Sequence, residues 1–175
     1  MPTANDGVTI AETSMSLTEI ATGDDYAYQF LPTCLSGTTW ITFQVQAQAE
    51  AHVLLSSHPS EQSGASVYET VLGGWGNTQS VIRKAKQGMP SESASTPGVL
   101  SEEELRWFWV SWGGGRISAG VGSSVGQGEL LAYADPSPSP VNYVAFATGW
   151  GSMGQWRIPV GLPTLGTFFY SLSYS

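Results

Sequence analysis

The chain has 175 residues, of which 41% are hydrophobic, and a net charge of −8 from 6 basic and 14 acidic residues. The hydrophobic fraction excludes a disordered chain, and the length fits one domain over residues 1–175. Charged residues make up 11%, against about 25% in a typical soluble domain, so the polar surface is mostly uncharged. The shortage of positive charge excludes a nucleic-acid backbone as a partner.

The cellular context is read from the cysteine content and the first residues. Cys34 is the one cysteine, which excludes an internal disulfide. Residues 1–7 are polar and acidic, without the basic and apolar regions of a signal peptide. No apolar run approaches the ~20 residues of a membrane helix, so no membrane partner is expected. These features predict a cytoplasmic protein, or one exported without a classical signal peptide.

Period-two alternation of apolar and polar side chains is the dominant pattern along the chain. In residues 41–49, apolar residues alternate with threonine and glutamine, which predicts a strand with one glutamine-bearing face. Further strands are predicted at 51–57, 67–72, 105–112, 116–121, 142–148 and 168–174. The glycines at 113–115 predict a hairpin turn between two of these strands.

The predicted strands are short and are separated by glycine and proline. Such spacing predicts an all-β fold, an antiparallel β-sandwich of jelly-roll-like topology in a single domain. Residues 101–105 favour at most one helical turn, with Ser101 as its N-cap. The longest predicted loops are 88–98 and the proline-rich 134–140, and loops of this kind often carry function.

Two glycine motifs have the spacing of catalytic or cofactor sites. Gly149, Gly151 and Gly154 fit a dinucleotide fingerprint, but neither the helix nor the later acidic residue that the motif requires follows. Residues 122–126 fit a nucleophile elbow, whose histidine should come later in the chain. Both histidines come earlier, so a strand connection is the favoured interpretation.

His52 and His58 are candidate metal ligands. Zinc takes three or four nitrogen, sulfur or carboxylate ligands, and no further histidine or cysteine lies near this pair. A hydrogen-bonded strand histidine and a surface histidine are therefore the favoured interpretations. The sequence predicts no catalytic residues, no metal site and no cofactor.

Residues 68–83 read Tyr-Glu-Thr-Val-Leu-Gly-Gly-Trp-Gly-Asn-Thr-Gln-Ser-Val-Ile-Arg. This stretch resembles the signature of the farnesoic acid O-methyltransferase-like domain of invertebrates. The resemblance continues in order at 43–56, 108–110, 117–120, 135–136, 140–144, 148–151 and 154–156. It covers about residues 25–160.

The resemblance implies a methyltransferase that acts on farnesoic acid in an apolar pocket, with S-adenosylmethionine as methyl donor. The residues themselves lack the alternating helices and the acidic ribose ligand of a doubly wound α/β sheet, which usually binds that donor. Members of the family are often joined to extracellular or immune-type modules, which implies a recognition role.

The chain contains seven tryptophans. Trp40, Trp107 and Trp109 are expected in the core. Trp75 and Trp150 each lie between two glycines, which predicts turns from which the indole projects. An indole face packs well against the C–H face of a sugar, while nearby polar groups bind hydroxyls. The alternative is that both indoles plug the ends of the core.

A sugar site also requires polar side chains beside the aromatic rings, and amide, carboxylate and guanidinium groups suit vicinal hydroxyls. The predicted ligand-binding residues are Trp75, Asn77, Arg83, Asp135, Asn142, Trp150, Gln155 and Trp156. The basic cluster at 83–86 is either a solvated strand end or a contact for an acidic ligand such as an anionic sugar.

The sequence thus favours a non-catalytic recognition module, a carbohydrate-binding, lectin-like protein whose partner is a glycan or another small polar ligand. Because linked sugar sites gain avidity, a homo-oligomer is also expected. The alternatives are the S-adenosylmethionine-dependent methyltransferase and a protein–protein interaction module acting through an exposed sheet edge.

Overall fold

The computed structural model describes residues 15–161, which form twelve strands. The strands are β1 (Met15–Thr22), β2 (Gln29–Phe30), β3 (Trp40–Ala47), β4 (Ala51–Ser56), β5 (Val67–Gly73), β6 (Gln79–Arg83), β7 (Pro90–Ser95), β8 (Arg106–Ser111), β9 (Arg116–Val121), β10 (Glu129–Ala134), β11 (Tyr143–Ala147) and β12 (Gly154–Gly161). Two short helical turns, Gly74–Asn77 and Gly113–Gly115, follow β5 and β8. No helix in this part of the chain is long and apolar enough to cross a membrane.

The strands form two antiparallel sheets of six strands each. The first sheet has the order β1-β12-β3-β8-β9-β10, and the second has the order β2-β11-β4-β5-β6-β7. The prediction of an all-β, antiparallel sandwich is confirmed. The predicted strand at 168–174 lies outside the described residues.

The core fills the space between the inner faces of the two sheets. Along β3, residues alternate between buried and half-buried positions, as the period-two pattern predicts. Phe43 on this strand packs its ring against Phe108, Phe146 and Trp156. All four side chains are at most 1% exposed, so the apolar alternation in the sequence does identify the core-facing side.

Two expectations about individual segments are wrong. Residues 88–98 are not one loop, because they contain β7, which pairs with β6 at the edge of the second sheet. A proline is tolerated as the first residue of an edge strand, and Pro90 occupies that place. Trp40 is 50% exposed rather than buried, because it lies on the outer side of β3, opposite Ile41 in the alternation.

The outer face of the second sheet is covered rather than exposed. Tyr28, Leu54, Ala145 and Ala147 form a small buried cluster there, and Tyr26 and Phe30 pack against it. Every residue of β4 is consequently buried. The segment before and within β2 therefore acts as a lid on this face and places its tyrosines over β4 and β5.

Candidate functional site

A cavity of about 570 Å³ opens beside the covered outer face of the second sheet. Three turns and two strands of the sandwich meet there. The turns supply Glu50 between β3 and β4, Trp75 between β5 and β6, and Trp150 between β11 and β12, while His52 and Arg83 come from β4 and β6. The cavity thus combines residues that lie far apart in the chain, from Gln48 to Ser152.

Both tryptophans of the cavity have left-handed backbone conformations. The φ angles are 51° at Trp75 and 54° at Trp150. For a residue with a Cβ this region costs about 1–2 kcal/mol, because the Cβ approaches the following carbonyl oxygen. Glycines flank both residues, and glycine adopts the backbone conformations of a tight turn without that cost. Strained non-glycine residues cluster at functional sites, and four of them line this cavity, because Glu50 and Gln87 also have positive φ angles.

Side-chain acceptors hold the two strained turns in place. Glu50 Oε1 accepts a hydrogen bond of 2.6 Å from the backbone N–H of Trp75. Asp24 Oδ1 accepts one of 2.6 Å from Gly151, directly after Trp150. The turn that carries Trp75 is also fixed by Asn77, whose amide donates to the carbonyl of Leu100 and accepts from its N–H, both at 3.0 Å.

The indoles of Trp75 and Trp150 are 49% and 59% exposed. They therefore do not plug the core, which was the alternative left open by the sequence. The Trp150 ring contacts Tyr26 edge-on at a centroid distance of 4.8 Å. The guanidinium of Arg83 lies 5.4 Å from the centroid of the Trp75 ring, a cation–π distance. Each indole thus has one supported side and one side in solvent.

Glu69 on β5 is the centre of a buried hydrogen-bond network behind the cavity, and its side chain is 0% exposed. Its Oε1 accepts from the hydroxyls of Tyr26 and Tyr28, the latter at 2.7 Å. Its Oε2 accepts from Arg83 at 2.9 Å and from the backbone N–H of Gln87 at 3.0 Å. A buried charge is tolerated only when it is paired and hydrogen-bonded in this way.

The network sets the protonation of its members. Burial alone would raise the pKa of Glu69, but hydrogen bonds from His52, Tyr26 and Tyr28 outweigh burial and lower the pKa to about 2. Burial and the nearby Glu69 carboxylate raise the pKa of both tyrosines well above the ordinary value. Glu69 is therefore a permanent anion near neutral pH, with the tyrosines as its donors.

His52 lies between two carboxylates and beneath Trp150. Its Nε2 is 3.1 Å from Glu50 Oε2, and its Nδ1 is 3.3 Å from Glu69 Oε1. The imidazole is stacked on the Trp150 indole, with ring centroids 5.3 Å apart and planes at 26°. The interpretation of His52 as a hydrogen-bonded strand histidine is confirmed. Within residues 15–161, no group of three or more His, Cys, Asp or Glu side chains is arranged so that it could hold a metal ion.

Three of the predicted ligand-binding residues, Trp75, Arg83 and Trp150, line this cavity. Asn77 does not, because both ends of its amide hold the backbone of Leu100. Its contribution is to the shape of the turn that carries Trp75.

Two predicted site residues, Trp156 and Asp135, are buried and do not line this cavity. Trp156 is 1% exposed in the core and donates its indole N–H to Thr22 at 2.8 Å. Asp135 has a carboxylate with no exposed surface, paired with Lys84 at 2.9 Å and accepting from Tyr68 at 2.6 Å. Pairing with Lys84 and the Tyr68 hydrogen bond lower the pKa of Asp135 to about 2.

The remaining two predicted residues lie elsewhere on the sandwich. Asn142 precedes β11 and donates its backbone N–H to Ser56, four residues along β4 from His52 and therefore about 13 Å away. Gln155 is on β12 opposite Gln46 and lines a separate, smaller groove. Neither residue lines the cavity between the two tryptophan turns.

Sequence reasoning missed the two carboxylates, Glu50 and Glu69, and the lid tyrosine Tyr26. Glu69 is the one charged residue within the apolar β5 segment, and charged residues are almost never fully buried unless paired. That position in the strand was a usable signal. No comparable signal marked Glu50 and Tyr26, because their roles depend on turns that only the fold brings together.

Comparison with known proteins identifies the family. Residues 24–160 match the sequence profile described as farnesoic acid O-methyl transferase, so the chain belongs to this family. Uncharacterized protein 5 of Haliotis asinina is 28% identical over 108 residues, which are 62% of this chain and 61% of that protein. The match thus spans about three fifths of the relative's length.

Two solved structures share the fold at low sequence identity. A native glycosidic hydrolase aligns with a TM-score of 0.50 and 11% identity, over 84% of this chain and 80% of that one. A prokaryotic β-1,3-1,4-glucanase (lichenase) derived from a mouse hindgut metagenome aligns with a TM-score of 0.50 and 10% identity, over 83% and 80%. These similarities establish the β-sandwich fold.

Proposed function

We propose that the cavity between Trp75 and Trp150 binds carbohydrate and that the protein is a non-catalytic, lectin-like recognition module. The observation that carries the proposal is the pair of half-exposed indoles. Two turns 75 residues apart in the chain present them to one cavity, each in a strained conformation. Flat aromatic faces beside polar groups are suited to the alternating C–H and hydroxyl surfaces of a sugar ring.

The polar lining of the cavity favours an uncharged sugar. Gln48 and Gln87 are exposed at its edge, and a side-chain amide both donates to and accepts from hydroxyls. The charges behind the cavity are already paired, Arg83 with Glu69 and Glu50 with His52. A neutral ligand leaves these pairs intact, whereas an anionic sugar would compete with Glu69 for Arg83.

The comparisons support this proposal only at the level of the fold. Both solved structures are described as enzymes that act on glycosidic bonds or glucan. Glycoside hydrolysis ordinarily requires two carboxyl groups facing the scissile bond, one of which donates a proton. Glu69 has no exposed surface and a pKa of about 2, so it is a poor proton donor, and recognition is the function proposed for this chain.

The family description favours a second candidate, an S-adenosylmethionine-dependent methyl transfer to farnesoic acid. A chain that binds this donor needs a pocket for its adenosine and methionine parts. The same cavity is the candidate location, because its volume lies within the range of small-molecule sites. The methyl donor is therefore a ligand in the test below.

The test is a glycan-array screen of the labelled protein, with and without calcium, together with calorimetric titration of S-adenosylmethionine. Trp75→Ala and Trp150→Ala are the site variants. Trp40→Ala is the matched control, because Trp40 is also half exposed but lies beside Leu35 and Pro159, away from the cavity.

We expect selective binding of neutral glycans that is lost in both site variants and retained in the control. Equal loss in Trp40→Ala would contradict the assignment of the cavity. Absence of glycan binding, together with saturable binding of the methyl donor, would replace the lectin by the methyltransferase. Light scattering of the same samples tests the proposed homo-oligomer, whose linked sites would raise avidity.

A further inference from the structure

Both ring nitrogens of His52 face carboxylate oxygens, at 3.1 Å from Glu50 and 3.3 Å from Glu69. An ionised carboxylate only accepts hydrogen bonds, and a neutral imidazole carries one N–H. Both contacts are therefore satisfied together only when both ring nitrogens are protonated. The histidine is 1% exposed, so water does not substitute for either partner.

The same imidazole contacts both halves of the cavity. Its ring face stacks on Trp150 at 5.3 Å. Its partner Glu50 uses the other carboxylate oxygen to accept the backbone N–H of Trp75 at 2.6 Å. Both tryptophans have left-handed backbones, which persist only when surrounding contacts hold them. His52 therefore contacts the Trp150 indole directly and is linked to the Trp75 backbone through Glu50.

We propose that His52 is a positioning residue, held as an imidazolium, that sets Trp75 and Trp150 for the ligand, so that binding requires its proton. This inference rests on the proposed glycan binding at the cavity. Loss of the proton leaves a lone pair of the ring facing a carboxylate. Glu50 is the partner that moves, because it is 15% exposed, whereas Glu69 is fixed by four further donors. Movement of Glu50 releases the turn that carries Trp75.

The charged and titratable groups around His52 come from several elements. Glu50 from the turn before β4, Glu69 from β5 and Tyr26 from the lid segment contact its ring. Arg83 from β6 pairs with Glu69, and β11 places the apolar Ala147 opposite His52. Lys86 lies farther out, over the Tyr26 ring. Burial alone would lower the pKa of His52, but hydrogen bonds to Glu50 and Glu69 outweigh it and raise the pKa above 6.5. The cationic form is thus favoured relative to that of an ordinary histidine, and binding weakens as pH rises.

The protonation state is tested without any ligand. The chain has two histidines, and the exposed His58 is removed in a His58→Gln background, which leaves His52 as the one imidazole. Nitrogen NMR of the ring, from about pH 5 to about pH 9, reports whether one or both nitrogens carry a proton. We expect two protonated nitrogens at neutral pH and a midpoint above 6.5. A singly protonated ring at neutral pH would overturn the proposal.

Glu50→Gln distinguishes positioning from mere packing. The new amide donates to a neutral imidazole and still offers an oxygen to Trp75, so the cavity keeps its shape without the proton on His52. Once a glycan is identified on the array, its affinity is measured by calorimetry in the His58→Gln background. The affinity should fall about tenfold as pH rises through the His52 midpoint, which corresponds to about one unit of linkage in the His52 pKa. Glu50→Gln should flatten this profile.

An identical pH profile in Glu50→Gln and in its parent would overturn the positioning role. Failure of every glycan to bind would instead refute the proposed function. In that case the ring protonation and the pH dependence of indole fluorescence still decide whether His52 holds the two tryptophans. An indole signal that does not change through the His52 midpoint would count against the proposal.

Discussion

The imidazole of His52 lies under the indole of Trp150, with ring centroids 5.3 Å apart and planes at 26°. His52 is buried on β4, and Trp150 is 59% exposed in the turn after β11. The stack therefore joins a buried strand of the sheet to the wall of the cavity. A site of this kind takes its shape from the sheet behind it rather than from the turn alone.

The tryptophans of the cavity and of the core should respond differently to truncation. Trp156→Ala removes a fully buried indole and should lower the free energy of unfolding by about 3–5 kcal/mol. Trp75→Ala removes a half-exposed indole and should cost about 1 kcal/mol or less. Urea denaturation measures both. A cost for Trp75→Ala as large as that for Trp156→Ala would show that Trp75 is structural.

Glu69 should make the fold sensitive to acid. Its pKa falls from 4.5 to about 2 on folding, so the unfolded chain binds its proton first as pH drops. The resulting stability is fully present above about pH 4.5 and is lost as pH falls toward 2. It amounts to about 3 kcal/mol.

Glu69→Gln tests this contribution by urea denaturation. The variant should be destabilised by about 3 kcal/mol near neutral pH and should approach the wild type near pH 2. Glu61→Gln is the control, because Glu61 is an exposed acid paired with Lys86 and should change stability little. A pH-independent difference between Glu69→Gln and the wild type would contradict the linkage.

The contribution of His52 to stability should have the opposite pH dependence from that of Glu69 and should act at higher pH. Its pKa is raised on folding, so the folded state binds the proton more tightly than the unfolded chain. The stability from this proton is fully present below about pH 6.5 and is lost as pH rises through the folded-state pKa. Thermal melting in the His58→Gln background measures the decline. Stability that rises over this range would contradict the imidazolium assignment.

Asn77 should be structural although it neighbours the cavity. Its amide makes two hydrogen bonds to Leu100, and its φ is 64°. Asn77→Ala removes both bonds and places a Cβ residue without a local polar partner in the left-handed region, which should cost about 2–4 kcal/mol. Asn77→Gly keeps the backbone favourable and loses only the hydrogen bonds. Chemical denaturation should give a lower free energy of unfolding for Asn77→Ala than for Asn77→Gly. The reverse order would contradict the backbone argument.

Local patterns in the sequence predicted six of the twelve strands, β3, β4, β5, β8, β9 and β11. The apolar alternation through Ile41, Phe43 and Val45 marked the buried side of β3, and all three are buried. Strand β7 was missed because its serines and glutamate carry no apolar period, and its place is set by pairing with β6 at the sheet edge. Pairing is a long-range property that composition does not encode.

The sequence by itself determined the two-sheet fold and the two glycine-flanked tryptophans, because period two and glycine turns are local consequences of side-chain geometry. Tertiary structure alone decided which polar side chains lie beside these two tryptophans. It buried Trp156 and Asp135, and it brought Glu50, His52 and Glu69 together from three separate positions. The physical reason is that burial and charge pairing depend on which strands become neighbours, and that choice is made by the packing of the whole sandwich.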